Sequence, residues 1–401
     1  MIMKVIKNCV LTINGGSSSI KFALYEIEDS LMQLFYADIQ SIGTKKIKLS
    51  FNNTVTQEKS FIDIKAVDYD EAVDFLIGWI ENQDWFSSVR AIGHRIVHGM
   101  KHTAPELVTP DLLDELKKIS TYDPEHLPGE IYLIEAFEKR YPSIPQIACF
   151  DTSFHASMPP VARLLPIPRR FNTMGIQRYG FHGLSYAWLM EELKSKAGNE
   201  TAQGKIILAH LGNGASIAAV KDGKSIDTSM GFTPASGLPM GTRTGDLDPG
   251  VAWYLMQKEK FTPEQFSQLI NHQSGLLGVS ETSSDMQELI ECQHTDSRAA
   301  EAIELFCYQT KKWIGSYAAV LGGLDTLVFS GGIGEHAPEI RERICYGLQF
   351  LGIELDKTRN VKNKTIISTD ASKVCIHVIK ANEELMIARL VCHVLNYSIK
   401  K

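Results

Sequence analysis

A strand, a loop of small residues and a returning strand open this chain, and the same unit occurs again about 200 residues later. In the first copy Val5–Thr12 is mostly apolar and β-branched, Asn14-Gly15-Gly16-Ser17-Ser18-Ser19 interrupts it, and Ile20–Tyr25 resumes. In the second, Lys205–Leu211 leads into Gly212-Asn213-Gly214-Ala215-Ser216 and Ile217–Val220 returns; Lys221-Asp222-Gly223-Lys224 then turns the chain into Ser225–Thr228. Apolar runs broken by Gly, Asn and Ser read as hairpins. Two such openings half a chain apart indicate an internal duplication, with a period far too long for a solenoid.

Helical periodicity fills much of the rest. Tyr69–Asn82 sets Ala72, Val73, Phe75, Leu76, Trp79 and Ile80 at helical spacing after an acidic start. Pro110–Ile119 takes Thr109 as its cap and Pro110 in its first turn. Ser297–Leu321 is a long helix stopped by Gly322-Gly323; Leu324–Phe329 is then a buried strand running into a loop, Ser330-Gly331-Gly332-Ile333-Gly334. Strands alternating with helices, with glycines at strand ends, make an α/β protein. At 401 residues two domains are expected, and with no low-complexity linker between the halves they should pack closely around a cleft.

Composition excludes several classes. With 41 Lys and Arg against 47 Asp and Glu the net charge is −6, which offers no footprint for nucleic acid or an anionic membrane. A 44% hydrophobic content rules out global disorder. No run of about 18 apolar residues exists to span a bilayer, and Met1–Thr12 lacks the pattern of a secretory leader. Seven scattered cysteines without a CxxC pair speak against a disulfide framework and structural zinc, and for a reducing cytosol.

Three signals carry chemistry. The glycine loops at 14–19, 212–216 and 330–334 each follow a strand, where backbone N–H groups and hydroxyls can approach an anion. One such loop is usually just a turn; three in one chain point to a polyphosphate. None fits GxxxxGK[ST], and Gly331-Gly332-Ile333-Gly334 lacks the GxGxxG spacing. The second signal is arginine and histidine set among glycines: Gly93-His94-Arg95-Ile96-Val97-His98-Gly99, Arg178-Tyr179-Gly180-Phe181-His182-Gly183 and Gly241-Thr242-Arg243-Thr244-Gly245-Asp246. Any one could be a surface turn, but a guanidinium there suits phosphate or carboxylate oxygens. The histidines lack spacing for zinc. Third, Asp151 ends the apolar run Ile147-Ala148-Cys149-Phe150, where an α/β sheet places functional carboxylates; the plainer alternative is a helix cap.

Taken together these segments resemble the acetate, propionate and butyrate kinase family, from Asn14 to Leu385. The specific blocks are Asn14–Lys21 (NGGSSSIK), Arg178–Gly183 (RYGFHG), Asp227–Pro234 (DTSMGFTP) with Gly237–Arg243 (GLPMGTR), and Asn382–Arg389 (NEELMIAR). The resemblance implies a duplicated two-domain actin/hexokinase-like (ribonuclease H-like) fold with an interdomain nucleotide cleft. Residues 1–152 with 386–401 would form the N-terminal acyl-kinase domain, and 153–385 the nucleotide-binding and dimerisation domain. The C-terminal helix, Glu383–Tyr397, would return to the first domain. It further implies ATP-dependent, reversible phosphorylation of acetate with Mg²⁺ (or Mn²⁺), in a cytoplasmic homodimer. Asn14 and Glu383 match the metal site. Ser17, Ser19 and Lys21 fall on the first phosphate loop, and His210, Leu211, Gly212, Asn213 and Gly214 on the second. Asp285, Met286 and Gln287, with Gly332, Ile333, Gly334 and His336, match the adenosine site. Asp151, Arg95, Arg243 and His182 match the catalytic set, and Val97, Phe181 and Pro234 the acyl pocket.

The chain also departs from the family pattern. Pro124-Glu125-His126-Leu127-Pro128 stands for Pro-Leu-His-Asn-Pro, placing Glu125 at the substrate-lining position of a pocket leucine, where it would repel a carboxylate unless it turns away or pairs with an arginine; Leu127 is the alternative to fill the space. Tyr186 replaces a histidine, Gln287 an arginine, His336 an asparagine, and Ala235-Ser236 a Leu-Glu pair. Phosphoryl transfer is expected to survive these changes, with acetate favoured and propionate or butyrate as alternatives. A superfold ATPase used as a conformational switch is the competing class, but it leaves the arginines and Phe181-His182 without a task.

Overall fold

The computed structural model describes residues 8–16, 18–44, 46–54 and 56–398. It divides into two compact units, one holding the chain up to Ser153 and again from Asn382, the other Phe154–Ala381.

In the first unit eight strands form one sheet: β1 (Cys9–Gly15), β2 (Ile20–Ile27), β3 (Leu31–Gln40), β4 (Ile47–Asn53), β5 (Glu58–Ile64), β6 (Val89–Ile96), β7 (Glu106–Leu107) and β8 (Gln146–Phe150). Their order is β5-β4-β3-β2-β1-β6-β8-β7. β1 runs antiparallel to β2 and parallel to β6, which runs parallel to β8. β1 is buried along its whole length, the mark of a central strand with both faces covered. On one face Leu11, Ile13 and Phe22 pack with Ala72, Leu76, Leu133 and Phe137 from the Tyr69–Glu81 and Leu127–Arg140 helices. The Glu383–Val394 helix covers the other face. It lies so close to β6 that a Cβ on Gly93 would sit 2.5 Å from Ile387 Cγ2 and 2.6 Å from Val391 Cγ2.

The second unit carries β9 (Lys205–Leu211), β10 (Ala215–Lys221), β11 (Lys224–Thr228), β12 (Thr326–Ser330) and β13 (Cys375–Val378), ordered β11-β10-β9-β12-β13. β9 is antiparallel to β10 and parallel to β12, and β12 is parallel to β13. This order and these directions repeat β3-β2-β1-β6-β8, so the duplication announced by the two hairpins is present in the sheets. The long helix is Ser297–Leu321, capped by Asp296 and ended by Gly322, whose φ of 68° suits glycine.

Element bounds mostly follow the sequence pattern, with four differences. The expected strand Val5–Thr12 begins outside the described residues and runs on to Gly15. The strand expected at Leu324–Phe329 is Thr326–Ser330. The segment after it, expected as a loop, is a short helix, Gly331–His336, because only Gly331 needs a left-handed φ (76°) and the residues after it are free to coil. The last helix ends at Val394 rather than Tyr397. Among the described residues no helix is long and apolar enough to cross a membrane.

Candidate active site

In the first unit the β1–β2 hairpin sets Asn14 opposite Lys21, and β1 ends beside the start of the Glu383–Val394 helix. Asn14 is nearly buried, and its Nδ2 donates to Glu383 Oε2 (3.0 Å) and Glu384 Oε1 (3.3 Å). Asn382 caps the helix through a bond from Leu385 N–H, which fixes where the two carboxylates emerge. Burial and then the charge of Glu383 push the Glu384 carboxyl above its ordinary range. One amide oxygen and adjacent carboxylates of this kind fit a hard divalent cation that keeps most of its water. Among the described residues no group of three or more His, Cys, Asp or Glu forms a closed metal cage. Ser19 closes the hairpin turn by accepting from Gly16 N–H at 2.8 Å; Ser17 lies outside the described residues.

Arg95, next to last in β6, donates Nε (3.0 Å) and Nη2 (2.6 Å) to Asp151 Oδ2 and Nη1 to the Gly15 carbonyl (3.2 Å). Asp151 follows β8, the parallel neighbour of β6, and its N–H bonds Ile96 O at 2.9 Å, so sheet register alone brings the pair together. Burial works against the guanidinium charge, but Asp151, Glu383 and Glu130 hold its pKa above the ordinary value. Val97, fully buried, is fixed by an N–H bond to Glu130 Oε2 at 2.9 Å. Glu130 is itself buried, its Oε1 has no hydrogen-bond partner, and its pKa lies well above the usual range, through burial first. Glu125 is half-buried and lines a recess of about 450 Å³ with Gly16, Tyr69, Asp70, His126 and Tyr132. That recess is mixed in character, with the carboxylates of Asp70 and Glu125 set among Tyr69, Pro124, Pro128 and Tyr132. Leu127 does not fill it, because its side chain is wholly buried against Ile96, Ile131 and Phe150.

In the second unit β9 and β12 are parallel neighbours, so their following loops leave the same end of the sheet. Gly331 has no room for a side chain there, since a Cβ would lie 2.7 Å from the Leu211 carbonyl oxygen. Gly212 N–H bonds Gly214 O at 3.0 Å, and Gly241 N–H bonds Asn213 O at 3.0 Å. His182 stands at φ 58° just before the Gly183–Gln203 helix, and its ring lies 4.4 Å from that of His210. A Cβ on Gly214 would sit 3.3 Å from His182 Nε2 and 3.9 Å from Arg243 Nη1. Arg243 is anchored by its bond to Pro234 O at 3.1 Å. Phe181 is buried, its carbonyl accepting from His155 Nε2 at 3.0 Å. The imidazole of His155 is kept neutral by burial, its pKa lowered to about 4. Loops 212–214 and 331–334 with His182 and Arg243 thus form one cluster of donors in this unit.

The adenosine candidates are more dispersed. Asp285 caps the Met286–Cys292 helix, accepting from Gln287 N (2.7 Å) and Glu288 N (3.2 Å). Met286 is buried, while Gln287 is exposed and bonds Glu291 within the helix. Ile333 is half-buried, and His336 is exposed, 3.8 Å from Glu335.

The sequence reading passed over Glu130, Glu384 and Ser216. Glu130 had a signal: an acid on the same helical stripe as Leu127, Ile131 and Ile134. Glu384 and Ser216 had none beyond adjacency to a motif.

The acetokinase family matches residues 9–389. An acetate kinase of Rhodopseudomonas palustris is 44% identical over 387 residues, 95% of this chain and 96% of that protein. A propionate kinase of Salmonella typhimurium is 39% identical, covering 95% of each. Among solved structures, the acetate kinase of Porphyromonas gingivalis superposes with a TM-score of 0.86 at 36% identity, covering 97% of this chain and 100% of that one. With nearly every residue matched by sequence and by fold, the chain belongs to the acetokinase family.

Proposed function

We propose that this protein is an acetate kinase, transferring the γ-phosphoryl of ATP to the carboxylate of acetate to give acetyl phosphate and ADP, reversibly. The observation that carries the reading is the Arg95–Asp151 pair at the end of β6 and β8: a guanidinium fixed in place by a carboxylate suits a small anionic substrate. A carboxylate oxygen attacks phosphorus as the bond to the β,γ-bridging oxygen breaks, and that electron pair leaves with ADP. Acetate is already ionised at pH 7, so no base is needed, and Asp151 serves to orient Arg95. Both reactants are anions, so the task of the side chains is to offset repulsion and hold the reacting atoms in line. Arg95 would bind the acid, Arg243 and His182 the oxygens of the transferring group, and the loops at 212–214 and 331–334 the remaining phosphates. Asn14 and Glu383 would hold Mg²⁺, or Mn²⁺ in its place, which when bound supplies positive charge to the phosphate oxygens. The relatives named as acetate kinases reach 44% identity, against 39–40% for those named as propionate kinases, which supports acetate over propionate.

The same reading takes the protein to be a cytosolic homodimer. Seven free thiols suit a reducing compartment, and Leu247, Val251, Trp253 and Tyr254, all more than a third exposed, offer an apolar face in the second unit.

A hydroxamate assay trapping acyl phosphate from MgATP with acetate, propionate, butyrate or no acid tests the proposal, in wild type and Glu125→Leu. Acetate turnover little changed by the substitution supports it. No turnover with any simple acid refutes it; a gain only in Glu125→Leu would assign another substrate.

A further inference from the structure

A line of three side chains in the second unit ends on His182. Tyr186, in the first turns of the Gly183–Gln203 helix, is wholly buried, and its hydroxyl meets Ser216 Oγ. Ser216, on β10 and equally buried, lies 2.9 Å from His182 Nδ1. β10 pairs Ser216 directly with His210 of β9, and His210 Nδ1 is bonded by Ser185 Oγ at 2.8 Å. The two imidazoles, tilted 30° to one another, are therefore each held at Nδ1 by a hydroxyl.

The direction of the line follows from the chemistry of its members. A phenol is the strongest donor of the three, and an imidazole nitrogen the strongest acceptor. Ser216 has one proton and sits between them, so it accepts from Tyr186 and donates to His182, and each bond polarises the next. A neutral imidazole that accepts at Nδ1 must carry its proton on Nε2. Nε2 is the atom that faces Gly214, where Arg243 Nη1 also converges. The opposite tautomer would present a lone pair there, against any anion on the loop.

We propose that Tyr186 and Ser216 are positioning residues that lock His182 as the Nε2–H tautomer, so that it offers a neutral donor beside Arg243 to the transferring phosphoryl oxygens. The inference rests on the phosphotransferase reading for its consequence, but not for the tautomer itself.

Nitrogen-15 NMR of histidine-labelled protein, with His182 assigned by the signal lost in His182→Gln, reads the tautomer directly. Wild type should show a protonated Nε2 and an unprotonated, hydrogen-bonded Nδ1; a protonated Nδ1 overturns the proposal. Tyr186→Phe and Ser216→Ala should each lower kcat by about 10–100-fold, the range for removing a partner that fixes a histidine's tautomer, with KM for acetate changed less than about twofold. The His182 signals should shift towards a tautomer mixture in both variants. Unchanged kcat and unchanged nitrogen shifts in variants of wild-type melting temperature overturn it. A wild type that forms no acyl phosphate but shows the Nε2–H tautomer would refute the acetate kinase reading and leave the tautomer lock standing.

Discussion

Replacing Arg341 with methionine should cost the second unit about 3–5 kcal/mol and weaken nucleotide binding, although this side chain touches no ligand. Arg341 lies in the Pro338–Cys345 helix and is wholly buried. It donates to Asn360 Oδ1 (2.8 Å), Asn360 O (2.9 Å), Asn363 Oδ1 (2.6 Å), Gly334 O (2.8 Å) and Glu335 O (3.0 Å). All five acceptors are neutral. Burial draws the guanidinium pKa down to about 10, which still leaves it charged at pH 7. An unsatisfied buried acceptor costs about 1–3 kcal/mol. The two asparagine side chains can turn to new partners, whereas the backbone carbonyls of Gly334, Glu335 and Asn360 cannot. Relief from burying a charge offsets part of their loss, and the net is about 3–5 kcal/mol. Gly334 and Glu335 belong to the short helix after β12, so the lost stability is concentrated at a proposed phosphate loop. Urea unfolding followed by circular dichroism, with KM for ATP and for acetate, separates the effects. We expect an earlier second-unit transition and a raised KM for ATP, with that for acetate little altered. Stability within about 1 kcal/mol of wild type, or equal changes in both KM values, would refute the reasoning.

Arg243→Ala should lower kcat by roughly 10²–10³-fold, the loss typical of one preorganised donor, in the acyl-phosphate assay. Glu130 keeps its proton in the folded state to a pH well above 4.5, so its contribution to stability is full below 4.5 and is lost as pH rises. Glu130→Gln should therefore gain stability relative to wild type progressively above that pH in thermal melts, with the difference smallest in acid. The pKa values of buried His94 and His155 are lowered from 6.5 to about 4, by burial first in both. Each favours folding above pH 6.5, an effect lost as pH falls towards 4 and amounting to roughly 3 kcal/mol when complete. The acid limb of the stability curve should flatten in His94→Gln; an unchanged limb would contradict the assignment.

Much of the frame was legible in the sequence because it depends on local signals. The two glycine hairpins, the Thr109–Pro110 helix start and the Gly322 stop all survive in the structure. The strands β3, β4 and β5 were missed. Their residues, such as Phe35 and Phe51, pack with Phe22 and Trp79 in a sheet extension that pairing, rather than any motif, defines. The Arg95–Asp151 contact needed the parallel register of β6 and β8, a relation between segments more than 50 residues apart. Asp151 could be suspected from its strand end and an arginine as its partner, but that the arginine is Arg95 needed the sheet register. Glu125 shows what a motif position leaves open: the match names the position, while only the structure places the side chain, which lines a recess with Gly16, Tyr69 and Tyr132.

The return of the chain to its first unit sets an order of events during synthesis. Phe154–Ala381 is continuous, so that unit can fold as soon as it leaves the ribosome. The first sheet must wait for the Glu383–Val394 helix, with β1 and the underside of Gly93 uncovered until then. At about 5–20 residues per second the interval between Ser153 and Asn382 lasts roughly 10–50 s, during which the uncovered sheet is exposed to aggregation. Because Asn14 bonds Glu383 across 369 residues, a nascent chain cannot assemble its candidate metal site early.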